Sequence, residues 1–250
     1  HLRKGMLLYN LGDLAGAEQD FERCSSLAAE LGSSRKEALA TYPLGVIKYL
    51  RGDLEEAERL GEQARTWLER TGDTYFQIQN LVALAQYALA RDDAILAEER
   101  LREALPLALG ESSWFAADIY RFLTEALLRQ GRVDDAVELV EFAGRGVPVE
   151  QPYAQAALRL AEAAVAAAGG EAARVTERYE AALQLLEQLD LRMDLSQARI
   201  AYGRSLRELG ETDRAREQFE LARAACAPMG ATGLVAEVER ELALVGSRAD

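Results

Sequence analysis

Catalysis needs reactive side chains held within reach of one another, and this sequence offers few of them. His1 is its only histidine, so a Ser–His–Asp or Cys–His arrangement has no base to work with. Metal sites built on histidine and cysteine fail on the same count, since Cys24 and Cys226 are the only cysteines. GRGVP at Gly144 has neither the spacing nor the lysine of a phosphate-binding loop. Carboxylates remain. Glu55–Glu56, Asp92–Asp93, Glu98–Glu99 and Asp134–Asp135 could act as acid–base pairs or cation ligands, yet no calcium-loop spacing with Gly at its sixth position is present. These pairs fall at predicted helix starts, where negative charge complements the helix dipole, or on exposed faces. The expectation is a protein without catalytic residues, cofactor or metal. His1 stands where a methionine is expected and reads as a tag or cloning remnant.

The elements that would have to position a site follow from composition and periodicity. The chain has 45 Ala and 39 Leu among 250 residues, against 12 Val and 5 Ile. Strong helix formers dominate and β-branched residues are scarce, so the predicted fold class is all-α. With 28% charged residues and only five Pro, the chain is neither disordered nor collagen-like. The longest weakly apolar stretch, 154–170, is interrupted by Arg159 and Glu162 and is too polar to span a bilayer. No signal peptide is evident, and the expected location is cytoplasmic.

GDLAGA at Gly12 returns as GDLEEA at Gly52, DDAILA at Asp92, GRVDDA at Gly131, GEAARV at Gly170 and GETDRA at Gly210, at intervals of 39 or 40 residues. Such a period is the signature of a solenoid of helical hairpins. After each turn, apolar residues recur at steps of four and three, as in Ala17, Phe21 and Cys24, or Ala97, Leu101 and Ala104, or Ala215, Phe219 and Ala222. Those steps place them on one helix face. A glycine in the turn ends one helix in a left-handed cap, and the acid or Thr after it starts the next.

First helices are therefore predicted near 33–51, 72–91, 112–130, 150–168, 190–209 and 230–246. Second helices are predicted near 13–31, 53–71, 93–109, 133–144, 171–189 and 211–227. The whole of 1–250 reads as one superhelical array of about six hairpins plus a final helix. Residues 1–11 supply only half of an uncapped first helix, so the segment is expected to belong to a longer chain. Repeats stacked at about 10 Å per unit would hold Cys24 and Cys226 five units apart, beyond disulfide reach, as reduced buried thiols.

These residues resemble the tetratricopeptide repeat family. Gly5, Gly45, Ala85, Ala163 and Gly203 match the small residue of its first helix. Ala17, Ala57, Ala97, Ala136 and Ala215 match its second-helix alanine, with Val175 the exception. Ala64, Ala104, Ala143, Ala182 and Ala222 match the last alanine, with Cys24 standing in once. The closing proline is missing and the period is longer than the family's, which adds roughly 4–5 Å to each helix. This long variant is similar to arrays in bacterial signalling ATPases and in LuxR-type or antibiotic-regulatory transcription activators.

The resemblance implies a concave groove lined by first helices. Carried over residue by residue, it presents Met6, Tyr9 and Asn10, then Tyr42, Val46 and Tyr49, then Gln79, Val82 and Gln86. Asp118, Arg121 and Glu125 follow, and finally Ile200, Arg204 and Arg207. Tyr9, Tyr42 and Tyr49 would form an aromatic patch at the N-terminal end, or else pack between repeats. Arg204 and Arg207, with Arg199 nearby, would form a basic spot for a carboxylate, or else pair with Glu208 or Glu211. Gln86 and Arg121 complete the candidate set, while Trp67, Trp114 and Phe115 read as packing residues. The family's chaperone-tail clamp needs asparagines where Met6, Val46 and Gln86 stand, so a C-terminal chaperone peptide is not the expected ligand.

Net charge is −13 and concentrates in the middle of the chain: residues 52–131 sum to −7 and 132–190 to −6. That balance argues against direct binding to duplex nucleic acid or to an anionic membrane. The expected partner is a protein or peptide, a neighbouring domain of the same chain, or a small-molecule inducer. The expected function is a non-catalytic interaction and sensor array within a larger bacterial regulator. The alternative is a free-standing adaptor that scaffolds a protein complex.

Overall fold

Every repeat turn ends its first helix in the same hydrogen-bonded way. In the first, the Asp13 amide donates to the Leu8 carbonyl at 2.9 Å, a six-to-one closure that returns at Asp53, Asp93, Arg132, Glu171 and Glu211. The closure requires a left-handed residue. Gly12 and Gly52 supply it with φ of 82° and 88°, and Asp92 stands in where glycine is missing, with φ of 63°. Aspartate is one of the few side chains that tolerate that region. The acid after the turn then caps the next helix: the Asp13, Asp53 and Asp93 carboxylates accept from the amides of Gly16, Glu56 and Leu96.

The computed structural model describes residues 1–111, 116–148 and 150–246, and these form thirteen helices. They are α1 (Leu2–Asn10), α2 (Leu14–Glu30), α3 (Ser34–Leu50), α4 (Leu54–Thr71), α5 (Thr74–Ala90), α6 (Ala94–Glu111) and α7 (Ala116–Arg129). There follow α8 (Val133–Gly146), α9 (Pro152–Ala168), α10 (Ala172–Gln188), α11 (Arg192–Glu208), α12 (Thr212–Met229) and α13 (Thr232–Gly246). The expected all-α superhelix of hairpins is present. None of these helices is long and apolar enough to cross a membrane.

The small–large–small register builds the core. Ala17, Phe21, Ala97, Leu101, Ala104, Ala215, Phe219 and Ala222 are all fully buried. A Cβ added to Gly5 or Gly203 would lie 2.7 or 2.5 Å from the ring of Phe21 or Phe219, so the small residue of the first helix makes room for the large residue of the second. A second register ties units together by charge. Glu18 pairs with Lys48 (2.6 Å) and Arg51, Glu58 with Arg91 (2.5 Å), and Glu98 with Arg132 (2.8 Å). Glu98 is thus buried against the neighbouring unit and not on an exposed face as its sequence position suggested.

Odd-numbered helices touch one another in series, from α3 to α5, α7, α9, α11 and α13, and make the inner wall. The even-numbered helices back them. The wall does not stay open: α13 returns to pack on α3. The Thr232 hydroxyl donates to the Arg51 carbonyl at 3.1 Å across 181 residues of sequence. A Cβ on Gly233 would fall 2.3 Å from the Gly52 nitrogen, so the two backbones meet where only glycine fits. Nearby, Met229 covers Gly12, and one apolar cluster runs from Leu14, Phe21 and Ile47 to Leu234 and Val238. The open stack assumed for the cysteines is therefore wrong, because the small rotation of each repeat accumulates until the last unit reaches the first. Cys24 and Cys226 are both free, and Cys24 is only half-buried.

Candidate functional site

The inner wall borders a half-open cavity of 730 Å³. Side chains from α3, α5, α7, α9, α11 and α13 all contribute to its wall. Four of the seven residues singled out in the sequence line it, Tyr49, Gln86, Arg121 and Arg204. Apolar contributions come from Phe122, Leu160, Ile200 and Leu234, and charged ones from Glu125, Glu237 and Glu241.

The arginines are not a free basic spot. Arg204 Nε donates to Glu241 Oε1 at 2.6 Å and its Nη2 to Glu237 Oε1 at 2.7 Å, while Arg207 donates to Glu241 Oε2. Their partners sit on α13 and not at Glu208 or Glu211, because the next first helix presents its acids across the groove. Arg207 does not line the cavity. Arg199 is engaged elsewhere, with Glu187 and Gln218 at 2.8 and 2.9 Å.

Tyr9, Tyr42 and Tyr49 lie near one another around Tyr87. Tyr49 packs its ring 5.2 Å from Tyr87, whose buried hydroxyl has no hydrogen-bond partner. Burial pushes the Tyr49 phenol up, and the charges of Glu237 on α13 and Glu125 on α7 push it the same way. Tyr42 packs edge-on to Phe76 and donates to Gln79 Oε1 at 3.3 Å. Tyr9 is half-buried and feels Asp194 of α11. Trp67 packs on Ala38, Ala64 and Leu68. Trp114 and Phe115 lie outside the described residues.

Beside Arg121, apart from the residues that line the cavity, lies a cluster that residue spacing alone does not assemble. Tyr153 Oη lies 2.7 Å from Asp118 Oδ2 and 3.4 Å from Asp194 Oδ1, joining α7, α9 and α11. Burial pushes the Asp118 carboxyl up to about 6, with the Asp194 charge adding to the rise and Arg121 and Tyr153 opposing it. Burial raises Asp194 as well, again against Arg121 and Tyr153. Tyr42 is raised by burial and by its neighbours Tyr9, Tyr75 and Asp118, so groups from α1, α3 and α5 face the same space. Asp118 was among the groove positions, but Tyr153 and Asp194 were not. They stand ten and nine residues before the small positions Ala163 and Gly203, earlier in their helices than the groove positions that the resemblance implies. Tyr75, ten before Ala85, carries the same signal.

Models of the tetratricopeptide repeat match residues 1–31 and, separately, 38–60, 118–141 and 196–220. No curated protein matches the sequence. Among solved structures, a Rap protein complexed with competence and sporulation factor superposes with a TM-score of 0.67 at 13% identity, over 98% of this chain and 73% of its own. BtubC (BKLC) from P. vanneervenii superposes with a TM-score of 0.52 at 18% identity, over 87% of this chain and 91% of its own. A signal transduction ATPase with numerous domains and a tetratricopeptide repeat sensor, from Pyrococcus horikoshii, gives 0.49 at 14% identity, over 98% of this chain and 37% of its own. Repeats recognised in four stretches of the sequence, stacked as hairpins, give this chain the fold of a tetratricopeptide repeat array.

Proposed function

We propose that the array is a non-catalytic interaction module whose axial channel receives a peptide segment, and that its occupancy is sensed by a larger regulator. The observation that carries this is the half-open cavity of 730 Å³ lined by six helices of the inner wall. Its volume falls in the range of about 300–1,000 Å³ typical of ligand sites. Its lining alternates apolar patches such as Leu160 and Leu234 with hydrogen-bonding groups such as Gln86 and Tyr49. That mixture suits an extended chain with a polar backbone and varied side chains better than a compact apolar molecule. Support also comes from the Rap structure, in which this fold was captured with a bound factor. A ligand held by both α3 and α13 would favour the closed ring over any opened one, and that difference in population is what a regulator would read.

The test is fluorescence anisotropy of labelled random pentapeptide pools against the protein, with Tyr49→Ala and Gln86→Ala as channel variants. Saturable binding that weakens in both variants supports the channel. If no pool saturates and only a folded protein is captured, the adaptor reading replaces it.

A further inference from the structure

Four arginines line the cavity, and two of them are already engaged. Arg129 donates to Glu125 Oε1 at 2.6 Å and to the Leu89 carbonyl at 2.7 Å, and Arg204 is held by Glu237 and Glu241. Arg121 lies 4.7 Å from the Phe122 ring centroid, and neither it nor Arg240 has a hydrogen-bond acceptor among the described residues. A guanidinium carries five N–H donors, and leaving them unmet is costly where the group is half-buried, as Arg121 is. The two free arginines share one register. Residues 121, 160, 200 and 240 stand three positions before Thr124, Ala163, Gly203 and Ala243, and all four line the cavity. From α7 to α13 this row of the wall reads Arg–Leu–Ile–Arg, a cation at each end of an apolar run. Among the lining acids Glu208 alone lacks an ion pair to a described residue, so two unpaired cations face one exposed, unpaired carboxylate. Asp118 on its own helix, Asp194 on α11, and the phenols of Tyr153 on α9 and Tyr179 on α10 also feel Arg121. They balance part of its charge and leave its donors to the cavity.

We propose that Arg121 and Arg240 bind the two acidic groups of one ligand, whose apolar middle lies over Leu160 and Ile200. The cavity then takes a dicarboxylate with an apolar spacer. A peptide with acids on either side of apolar residues and a long dicarboxylic acid share this chemistry. The peptide form rests on the reading above; the pair of anion sites does not. A planar carboxylate matches the fork of either guanidinium with two parallel hydrogen bonds. A carboxylate on Arg121 also takes away part of what stabilises the charge of Asp118, which Asp194, Tyr153 and Tyr42 face as well, so the Asp118 midpoint should climb above about 6. Ligand and proton therefore favour one another, and affinity falls as pH rises through that midpoint.

The probes are suberate, sebacate and dodecanedioate, with decanoate, decanediol and decanediamine as controls, titrated into the protein by calorimetry. Saturable binding of a dicarboxylate, about tenfold tighter than decanoate and about tenfold weaker in Arg121→Gln and in Arg240→Gln, is expected. Carbon NMR of the carboxyl-labelled protein should show the Asp118 midpoint moving up as the site fills. Binding of the diamine in place of the diacids overturns the anion pair, as does binding that both glutamine variants retain or that leaves the Asp118 midpoint where it was. Should Arg121→Gln fail to fold, the variant at exposed Arg240 and the wild-type NMR titration decide the matter. The source of the acids is read from the pentapeptide pools, where Asp or Glu at both ends should gain about tenfold over Asn or Gln. Pools that bind without this preference overturn the anion pair and keep the peptide channel. Dicarboxylates that bind while no pool does keep the pair and overturn the peptide, and silence from both overturns the pair.

Discussion

Asp118→Asn should make the unliganded protein more stable at neutral pH, and the size of the gain follows from its burial. The carboxyl is pushed up from 3.8 to about 6, mainly by loss of solvation. A rise of about two units, at about 1.36 kcal/mol each, corresponds to roughly 3 kcal/mol. The folded protein holds this proton more tightly than the unfolded chain does, so the contribution is fully present below about pH 4. It is lost as pH climbs through about 6, and the wild type should be less stable at pH 7.5 than at pH 5. Asp194 and Glu58, also raised by burial, act in the same direction. The lowered carboxylates Glu56 and Glu98 titrate below this window. Asparagine keeps the shape and removes the charge, so the difference between variant and wild type isolates the cluster. Thermal unfolding followed by circular dichroism at both pH values reads it, with a melting difference of about 6–12 °C expected at pH 7.5 for a chain of this size and roughly half of that at pH 5, midway between the unfolded and folded midpoints. Stability that rises from pH 5 to pH 7.5 in parallel for both proteins would refute the reasoning.

Gly233→Ala should open the ring without unfolding it, because its Cβ would sit 2.3 Å from the Gly52 nitrogen. Small-angle scattering should show a longer maximum dimension and hydrogen exchange should quicken in α13, whereas an unchanged profile would mean that the seam yields elsewhere. Ala97→Leu or Ala215→Leu, at fully buried positions, should cost roughly 1–3 kcal/mol in urea unfolding by overpacking. Arg204→Ala strips Glu241 and Glu237 of a shared partner and should cost about 1–2 kcal/mol, discounted because the arginine is partly exposed. Exchange in α13 should again report it, and an effect confined to α11 would contradict the pairing. Tyr49→Ala should weaken pentapeptide binding by several-fold in anisotropy, while unchanged affinity with lost stability would place Tyr49 in the core alone.

What the sequence disclosed and what it withheld differ in range. The Schellman-type closures at Asp13, Asp53 and Asp93, the caps on Gly16, Glu56 and Leu96, and the Ala–Phe–Ala steps all form within a turn or two of chain. Residue type and spacing encode them directly, and they were read correctly. The Arg204–Glu241 pair spans 37 residues, nearly one period, and aligning one first helix against the next would have shown it. Contacts such as Thr232 with Arg51 belong to no single repeat. They arise from a rotation per unit too small to leave a mark on any one hairpin, summed over all of them. The donor-poor cluster at Asp118 depends on that sum too, because Tyr9 and Tyr42 meet Asp194 and Asp118 only once the wall has curved round. Closure at Gly233 and burial of Asp118 are therefore linked through geometry. A ring opened by Gly233→Ala should let the Asp118 midpoint fall from about 6 toward the ordinary carboxylate range, although the mutated residue touches neither carboxylate, and carbon NMR of the Asp118 side chain that still reads about 6 would show that the cluster forms without closure.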